Sequence, residues 1–188
     1  MQNHMPYKNK IYEQYDIDIS SESLTENEKI ELKNYIQGVY DGDQMYIKLV
    51  NYLKNIKEPT ILVMFGDHLP VLNSIYSKSN YNSLEYYTTP YIIWANYDIK
   101  YEQVNLKEHM SPSNLSINLM RLANIELPWY LKKFEELYNN YPAINNKYVI
   151  SEEGEEINTN KITNYDLIKD CKILQYDLLI KKKYITIE

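Results

Sequence analysis

The sequence has few of the residues on which several common site chemistries depend. Cys171 is the only cysteine, so an intramolecular disulfide and a CxxC metal or redox motif are excluded. Glycine occurs only four times, and no GxGxxG or Walker-type phosphate loop can be written from those positions. Nucleotide-binding folds that depend on such loops are therefore excluded. Arginine occurs once, at Arg121, and the sequence contains 21 tyrosines but only two phenylalanines. We interpret both features as nucleotide-composition bias in the source genome.

The remaining composition is that of a folded protein without a nucleic-acid partner. The 188 residues are 44% hydrophobic and 13% aromatic, which is enough for a sizeable core. The formal net charge of -6 argues against the basic face that a phosphate backbone requires. No apolar run reaches the roughly 18 residues that suggest a membrane span, and the first ten residues contain no signal-peptide core. We therefore expect this chain to be soluble.

The first half of the sequence predicts one long helix followed by two buried strands. Thr25 and Glu28 form a capping-box pattern, and apolar residues then recur at spacings of three and four over residues 26–57. Residues 60–65 form a continuous apolar run between a proline and a glycine, which predicts a buried, parallel strand. A second run of this kind covers residues 91–95.

The second half predicts shorter elements. Ser111 is a candidate N-cap for a helix, and another short helix ends near Tyr138. A hairpin with its turn at residues 152–154 leads to a last helix over residues 164–179 and an extended end at 184–187. Alternating helices and buried strands indicate a layered α/β domain. The non-alternating strands require neighbours and covering helices that the sequence does not supply, so we expect the domain to be incomplete.

Asp67 and His68 are the best candidates for a functional site. They directly follow the first predicted strand, and ligand sites of open α/β sheets form at the carboxyl ends of strands. One carboxylate oxygen and one imidazole nitrogen suit manganese or zinc. The alternative from spacing alone is that Asp67 caps a turn and His68 is a surface residue.

Three other polar residues have two interpretations each. His4 and His109 lie in predicted loops, where a single histidine is usually solvated. Asp43 falls on the apolar stripe of the long helix, and a carboxylate that faces a core needs a partner. It is therefore either a buried hydrogen-bonding residue or an outer-shell support for a nearby site.

The string ILVMFGDHLP at residues 61–70 resembles the metal-ligand segment of lipoteichoic acid synthases and related phosphoglycerol transferases. These enzymes form part of the sulfatase-like branch of the alkaline phosphatase superfamily. Five further segments resemble the family in the same order, at residues 3–7, 35–43, 89–94, 113–115 and 175–179. The resemblance implies a C-terminal portion of a sulfatase-like layered α/β domain with a mostly parallel central sheet. Residues 1–144 would form the α/β core portion and residues 145–188 a C-terminal hairpin and helix.

The resemblance also implies roles for single residues. Asp67 and His68 would be two ligands of one divalent metal ion, commonly manganese in this family, with zinc or magnesium as alternatives. His4 matches a histidine that contacts the phosphoglycerol group of the substrate, and Asp43 matches a recurrent aspartate with a structural or outer-shell role. The family's threonine nucleophile and a further acidic ligand stand in an N-terminal half that residues 1–188 do not match. Thr89 belongs to a structural segment, so we expect no catalytic residue in this chain.

The expected activity is transfer or hydrolysis of a phosphoglycerol group from a phosphatidylglycerol-type lipid. The acceptor would be a polyglycerolphosphate chain, a glycan or water, at the extracytoplasmic face of a bacterial cell membrane. A sulfatase of the same superfamily is the nearest enzymatic alternative, and a non-catalytic domain is the alternative from another class. With half of the site present, we expect weak or no metal binding, no turnover by the chain alone, and self-association through the surface that the N-terminal half would cover.

Overall fold

The computed structural model describes residues 3–7, 17–79, 84–104, 106–145, 148–158, 162 and 164–180. The chain divides into two compact units, Met1–Tyr97 and Asp98–Glu188. Helices and strands occur in both units, which agrees with the α/β class expected from the sequence. The predicted subdivision between residues 144 and 145 stays a prediction. No described helix has both the length and the apolar character needed to cross a membrane.

Helix α1, Glu26–Leu53, begins at the predicted capping box. The Glu28 amide donates to the Thr25 hydroxyl, and the Thr25 amide donates to the Glu28 carboxylate at 2.8 Å. The helix ends at Leu53, four residues before the predicted end at residue 57. The carbonyl of Leu53, which a further turn would need, accepts a hydrogen bond from the side chain of Asn96.

The two predicted strands form at their predicted positions but pair differently. Strand β1 is Ile61–Phe65 and strand β2 is Tyr91–Ala95, and they pair antiparallel with Phe65 opposite Tyr91. Each run was expected to be a parallel strand, and for this pair that expectation is wrong, because the chain returns to the same end of the sheet instead of crossing over. Most of β1 is half-buried, and Phe65 is 53% exposed. An apolar run predicts a strand, but it does not fix the direction of pairing.

The connection from β1 to β2 contains α2, Asn73–Tyr76, and a short 3-10 helix, Glu85–Tyr87. Lys78, just after α2, contacts the start of α1, where its ammonium group donates to the Glu28 carboxylate at 2.6 Å and to the Ser23 carbonyl at 3.1 Å. Glu28 is only 8% exposed. The hydrogen bond from Lys78, followed by those from Thr25, lowers the pKa of Glu28 from 4.5 to about 2.

The second unit consists of short elements around its own core. The described residues of this unit form, in chain order, the 3-10 helices Tyr101–Gln103 and Pro112–Asn114 and the α-helices α3 Leu115–Leu122 and α4 Trp129–Asn140. A small sheet of β3 Ala143–Ile144, β4 Val149–Ile150 and β5 Glu156–Ile157 follows, and then helix α5 Tyr165–Ile180. Strand β4 pairs antiparallel with both β3 and β5, so the predicted hairpin forms. In the described ranges, both sheets of the chain are antiparallel. The predicted extended end at 184–187 lies outside the described residues.

The core of this unit is built on the β4 strand. Val149 and Ile150 are almost fully buried, and Val149 packs with Tyr141 and Ile168. Cys171 is buried in α5, where its thiol donates to a backbone carbonyl of α4, and burial raises its pKa. A buried thiol with a raised pKa is a poor nucleophile.

Candidate functional site

Asp67 and His68 lie together at the carboxyl end of β1, as the strand prediction requires. Oδ1 of Asp67 accepts the backbone N–H of His68 at 3.0 Å, and Oδ2 lies 3.7 Å from Nε2 of the imidazole. The Asp67 and His68 side chains are 79% and 58% exposed. A carboxylate oxygen and an imidazole nitrogen, two different kinds of potential metal ligand, therefore lie side by side and exposed to solvent.

A backbone contact fixes which nitrogen of His68 is available. Nδ1 lies 2.8 Å from the carbonyl oxygen of Leu69. Because a carbonyl oxygen can only accept, Nδ1 is the protonated nitrogen in this contact, and Nε2 of the neutral ring presents its lone pair. Nε2 is the nitrogen beside the Asp67 carboxylate. This arrangement of one ring nitrogen on a backbone carbonyl is the usual support of a metal-binding histidine.

The residue before this pair is held by the start of β2. The Thr89 hydroxyl donates to the Gly66 carbonyl at 2.7 Å, and the Gly66 N–H donates to the Pro90 carbonyl at 3.1 Å. A Cβ on Gly66 would lie 3.0 Å from the Thr89 Cβ, which is closer than such atoms normally approach. Thr89 therefore fixes the backbone from which Asp67 projects, in agreement with the structural role expected for its segment.

His4 lies beside His68 although the two are 64 positions apart in the sequence. Their ring centroids are 6.3 Å apart, and the ring planes are tilted by 55°. His4 itself is exposed. The structure therefore brings together three of the four residues predicted from the resemblance, at one open edge of the first unit.

Two hydrogen bonds attach the segment that carries His4 to helix α1. The Asn3 carboxamide donates to the carbonyl of Tyr35 at 3.1 Å, and the Asn34 carboxamide donates to the carbonyl of Tyr7 at 2.6 Å. The Tyr7 side chain is buried and meets the Tyr35 ring edge to face, with centroids 5.6 Å apart. His4 thus stands between two anchored residues.

Asp43 and His109 lie elsewhere. Asp43 is exposed on α1, so the expectation that it faces a core is wrong. The stripe on which it lies is itself partly solvent-facing, since Val39 is 40% exposed and Tyr40 38% exposed. Its structural or outer-shell role stays a prediction. His109 is half-buried in a loop of the second unit, and no site role is assigned to it.

The donor set suits a divalent metal ion, but it is small. Zinc ligands lie about 2.0–2.2 Å from the ion, so two donor atoms 3.7 Å apart can reach the same ion. Over the part of the chain that the structure describes, no three His, Cys, Asp or Glu side chains come together as a metal-binding group. The metal role of Asp67 and His68 therefore stays a prediction, and further ligands would have to come from elsewhere.

Several supporting contacts were not predicted. They are the Leu69 carbonyl behind His68, the Thr89 contact with Gly66, and the anchoring of Asn3 on α1. One signal for the last of these is in the sequence. Gly38 interrupts a strongly predicted helix, and a glycine inside a helix often marks the close approach of another part of the chain.

The chain is similar to known proteins in both sequence and fold. The family described as Sulfatase matches residues 1–125. A protein of Rhizobium meliloti (strain 1021), named for modification of cyclic beta-1,2-glucan, is 27% identical over 203 residues, covering 99% of this chain and 31% of the relative. The structure of Streptococcus pyogenes phosphoglycerol transferase GacH in complex with sn-glycerol-1-phosphate superposes with a TM-score of 0.68 at 23% identity. That match covers 100% of this chain and 46% of the GacH chain.

The chain therefore spans less than half the length of each of these two proteins. Its fold is that of the phosphoglycerol transferase over the whole matched length. The family match covers two thirds of the chain and includes all of α1, both strands of the first unit and the Asp67, His68 and His4 positions. The chain belongs to the sulfatase family, within the alkaline phosphatase superfamily.

Proposed function

We propose that this chain is part of a metal-dependent enzyme of the lipoteichoic acid synthase type, which transfers or hydrolyses the phosphoglycerol group of a phosphatidylglycerol-type lipid. Membership of the sulfatase family and a fold shared with a phosphoglycerol transferase support this class. The observation that carries the proposal is the grouping of His4, Asp67 and His68 at the end of β1.

In this proposal Asp67 and His68 hold the metal ion. The Leu69 carbonyl keeps the Nε2 lone pair of His68 directed to the side where the Asp67 carboxylate lies. One carboxylate oxygen and one imidazole fit manganese, with zinc or magnesium as alternatives. When bound, the ion would supply a Lewis acid that polarises the phosphoryl oxygen and lowers the pKa of an attacking hydroxyl. Two protein ligands bind an ion weakly, so the remaining ligands and the threonine nucleophile would lie outside residues 1–188.

His4 would bind the phosphoglycerol group. Its ring lies 6.3 Å from that of His68, centroid to centroid, so donors on the two sides of this gap can reach oxygens of a single phosphate. His4 is exposed and anchored on both sides, which allows its ring to hold a phosphate oxygen or to pass a proton to a leaving or accepting oxygen. The acceptor would be a polyglycerolphosphate chain, a glycan or water at the extracytoplasmic face of the membrane.

A sulfatase is the second candidate, because the matching family is described by that activity. Sulfate and phosphate esters are both tetrahedral oxyanions, so the same metal and histidine groups would serve either. The two candidates differ in their substrates. A phosphodiesterase assay and a sulfate ester assay on the same preparation therefore separate them.

The test uses a polypeptide of the length of the relatives that includes residues 1–188, with Asp67→Asn, His4→Ala and His109→Ala as variants. Turnover of phosphatidylglycerol labelled in its glycerol headgroup and the bound manganese are measured together. We expect Asp67→Asn to lose metal and turnover. His4→Ala should keep its metal and lose about 10²-fold or more in turnover, while the control His109→Ala should resemble the parent.

Three outcomes would count against the proposal. Equal loss of metal from His4→Ala and Asp67→Asn would contradict the division of roles. Faster turnover of a sulfate ester than of the lipid would favour the sulfatase. Strong manganese-dependent turnover by residues 1–188 alone would show that these residues hold a complete site.

A further inference from the structure

We infer that Asn3 and Gly38 are positioning residues for His4: the missing side chain at Gly38 lets the Asn3 carboxamide sit on helix α1 and so places His4 beside His68. What this placement achieves rests on the proposed function, in which His4 binds the phosphoglycerol group. The placement itself rests on contacts within the first unit.

Gly38 is buried near the middle of α1. A glycine inside a helix lowers the stability of the helix by about 1 kcal/mol relative to alanine. A glycine at this position is therefore expected to serve another purpose. A Cβ built at Gly38 would overlap the Asn3 carboxamide, with Nδ2 only 2.8 Å away. The space that alanine would fill is therefore occupied by Asn3.

The Asn3 contact depends on this close approach. Its carboxamide donates to the carbonyl of Tyr35, 3.1 Å away, in the turn that precedes Gly38. Side chains of a helix lean toward its N-terminus, so a side chain at position 38 would cover the carbonyl at position 35. Because glycine at 38 has no side chain, the Asn3 carboxamide can reach that carbonyl's second lone pair from this side of the helix.

His4 is displaced if Asn3 is displaced. Consecutive Cα atoms are about 3.8 Å apart, so a shift of Asn3 away from the helix is passed on almost directly to His4. The other end of the segment is held separately, because Asn34 donates to the carbonyl of Tyr7 at 2.6 Å. If Asn3 were displaced, His4 would therefore move away from its position beside His68, while the Tyr7 end of the segment stayed attached to α1.

The first test is a double-mutant cycle in the thermal stability of residues 1–188. Gly38→Ala should give no gain, or a loss, in the parent. In the Asn3→Ala background the overlap is gone, so the same substitution should raise the melting temperature through its helix propensity. An equal gain in both backgrounds would overturn the inference. Lys48→Ala, an exposed change on the same helix, controls for unspecific effects on α1.

The second test follows the histidine rings directly. The sequence has only three histidines, so their imidazole signals can be assigned by substitution. A nuclear Overhauser contact between the His4 and His68 rings should be present in the parent and lost in Gly38→Ala and in Asn3→Ala, with His109 unchanged. Persistence of this contact in both variants would refute the positioning role.

The third test measures turnover in the longer polypeptide. Gly38→Ala should lower kcat/KM by about 10- to 100-fold at unchanged metal content, and the double variant should be no worse than Asn3→Ala. If the parent has no turnover on either ester, the proposed function fails, while the stability cycle and the ring contact still decide the positioning. If those two tests fail and turnover is normal, only the positioning is wrong.

Discussion

Replacing Asn96 with alanine removes a side-chain amide that joins the end of α1 to the start of β1. Its Oδ1 accepts the Thr60 N–H at 2.8 Å, while its Nδ2 lies 3.0 Å from each of the Ile56 and Glu58 carbonyls and 3.3 Å from that of Leu53. Since α1 anchors His4 and β1 carries Asp67, this amide connects the two parts of the candidate site.

The expected loss of unfolding free energy in Asn96→Ala follows from the number of hydrogen bonds that the Asn96 side chain makes. Nδ2 has two hydrogens shared among three carbonyls, and Oδ1 accepts one further bond, so about three hydrogen bonds of roughly 0.5–1.5 kcal/mol each are lost. Asn96 is half-buried, and water replaces part of what is removed. We therefore expect Asn96→Ala to lower the free energy of unfolding of the first unit by about 2–3 kcal/mol.

The assay uses the tryptophans, since Trp94 lies in the first unit and Trp129 in the second. In a Trp129→Phe background, fluorescence reports on the first unit during urea unfolding. With a slope of about 2 kcal/mol per molar urea, the midpoint should fall by roughly 1 M. Asn55→Ala is the matched control, because Asn55 is exposed and makes a local bond to the carbonyl of Asn51.

The isosteric variant Asn96→Asp gives a sharper result. It keeps the acceptor for Thr60 but turns a second oxygen toward the three carbonyls, where the amide had donated. It should therefore destabilise the unit at least as much as alanine does, although its volume is unchanged. A loss below about 0.5 kcal/mol for both variants would refute the reasoning, because removing a half-buried amide with several hydrogen-bond partners is expected to cost more than that.

Three further predictions follow from other contacts. Lys78 lowers the pKa of Glu28 from 4.5 to about 2, so the Glu28 carboxylate stabilises the fold fully above pH 4.5 and loses this contribution as the pH falls to about 2. Glu28→Gln should therefore make the melting temperature less dependent on pH between about 4.5 and 2. Thr89→Ala should cost about 1 kcal/mol in urea unfolding, since it removes a partly buried hydroxyl bond. Arg121→Lys should cost less than about 1 kcal/mol in the same assay, because the bidentate pair with Glu135, which raises the pKa of Arg121, is partly exposed.

Local signals in the sequence were sufficient to place the start of α1 and the two strands of the first unit. The Thr25 and Glu28 pair fixes the first residue of α1, because the capping box is a contact between residues three apart. The apolar runs set β1 and β2 at the observed residues. The pairing direction was not predictable from these runs, since it depends on how the connection over residues 66–90 returns to the sheet. The partial burial of β1 likewise depends on what packs on its faces.

The candidate site, too, could be predicted from local signals only where its residues are neighbours in the sequence. Asp67 and His68 are neighbours in sequence, so the end of a strand was enough to place them together. No periodicity links His4 to His68 across 64 positions, and only the family resemblance suggested that they meet. Asp43 was misplaced because its helical stripe was assumed to face a core, whereas the turn of that stripe just before Asp43 is exposed at Val39 and Tyr40.

The two halves of the candidate site should therefore respond differently to the same change. Asp67 and His68 are held by local contacts, with the 3.0 Å bond between them and the 2.8 Å contact to Leu69, so their geometry should survive loosening of the junction between α1 and β1. His4, by contrast, is placed beside His68 by a segment that is attached to helix α1. In the longer polypeptide, Asn96→Ala should consequently weaken the nuclear Overhauser contact between the His4 and His68 rings. Manganese affinity should stay within about twofold of the parent, because the local hydrogen bonds of Asp67 and His68 do not involve Asn96. A parallel loss of both readouts would show that the junction supports the metal ligands as well, and that the site is a single cooperative unit.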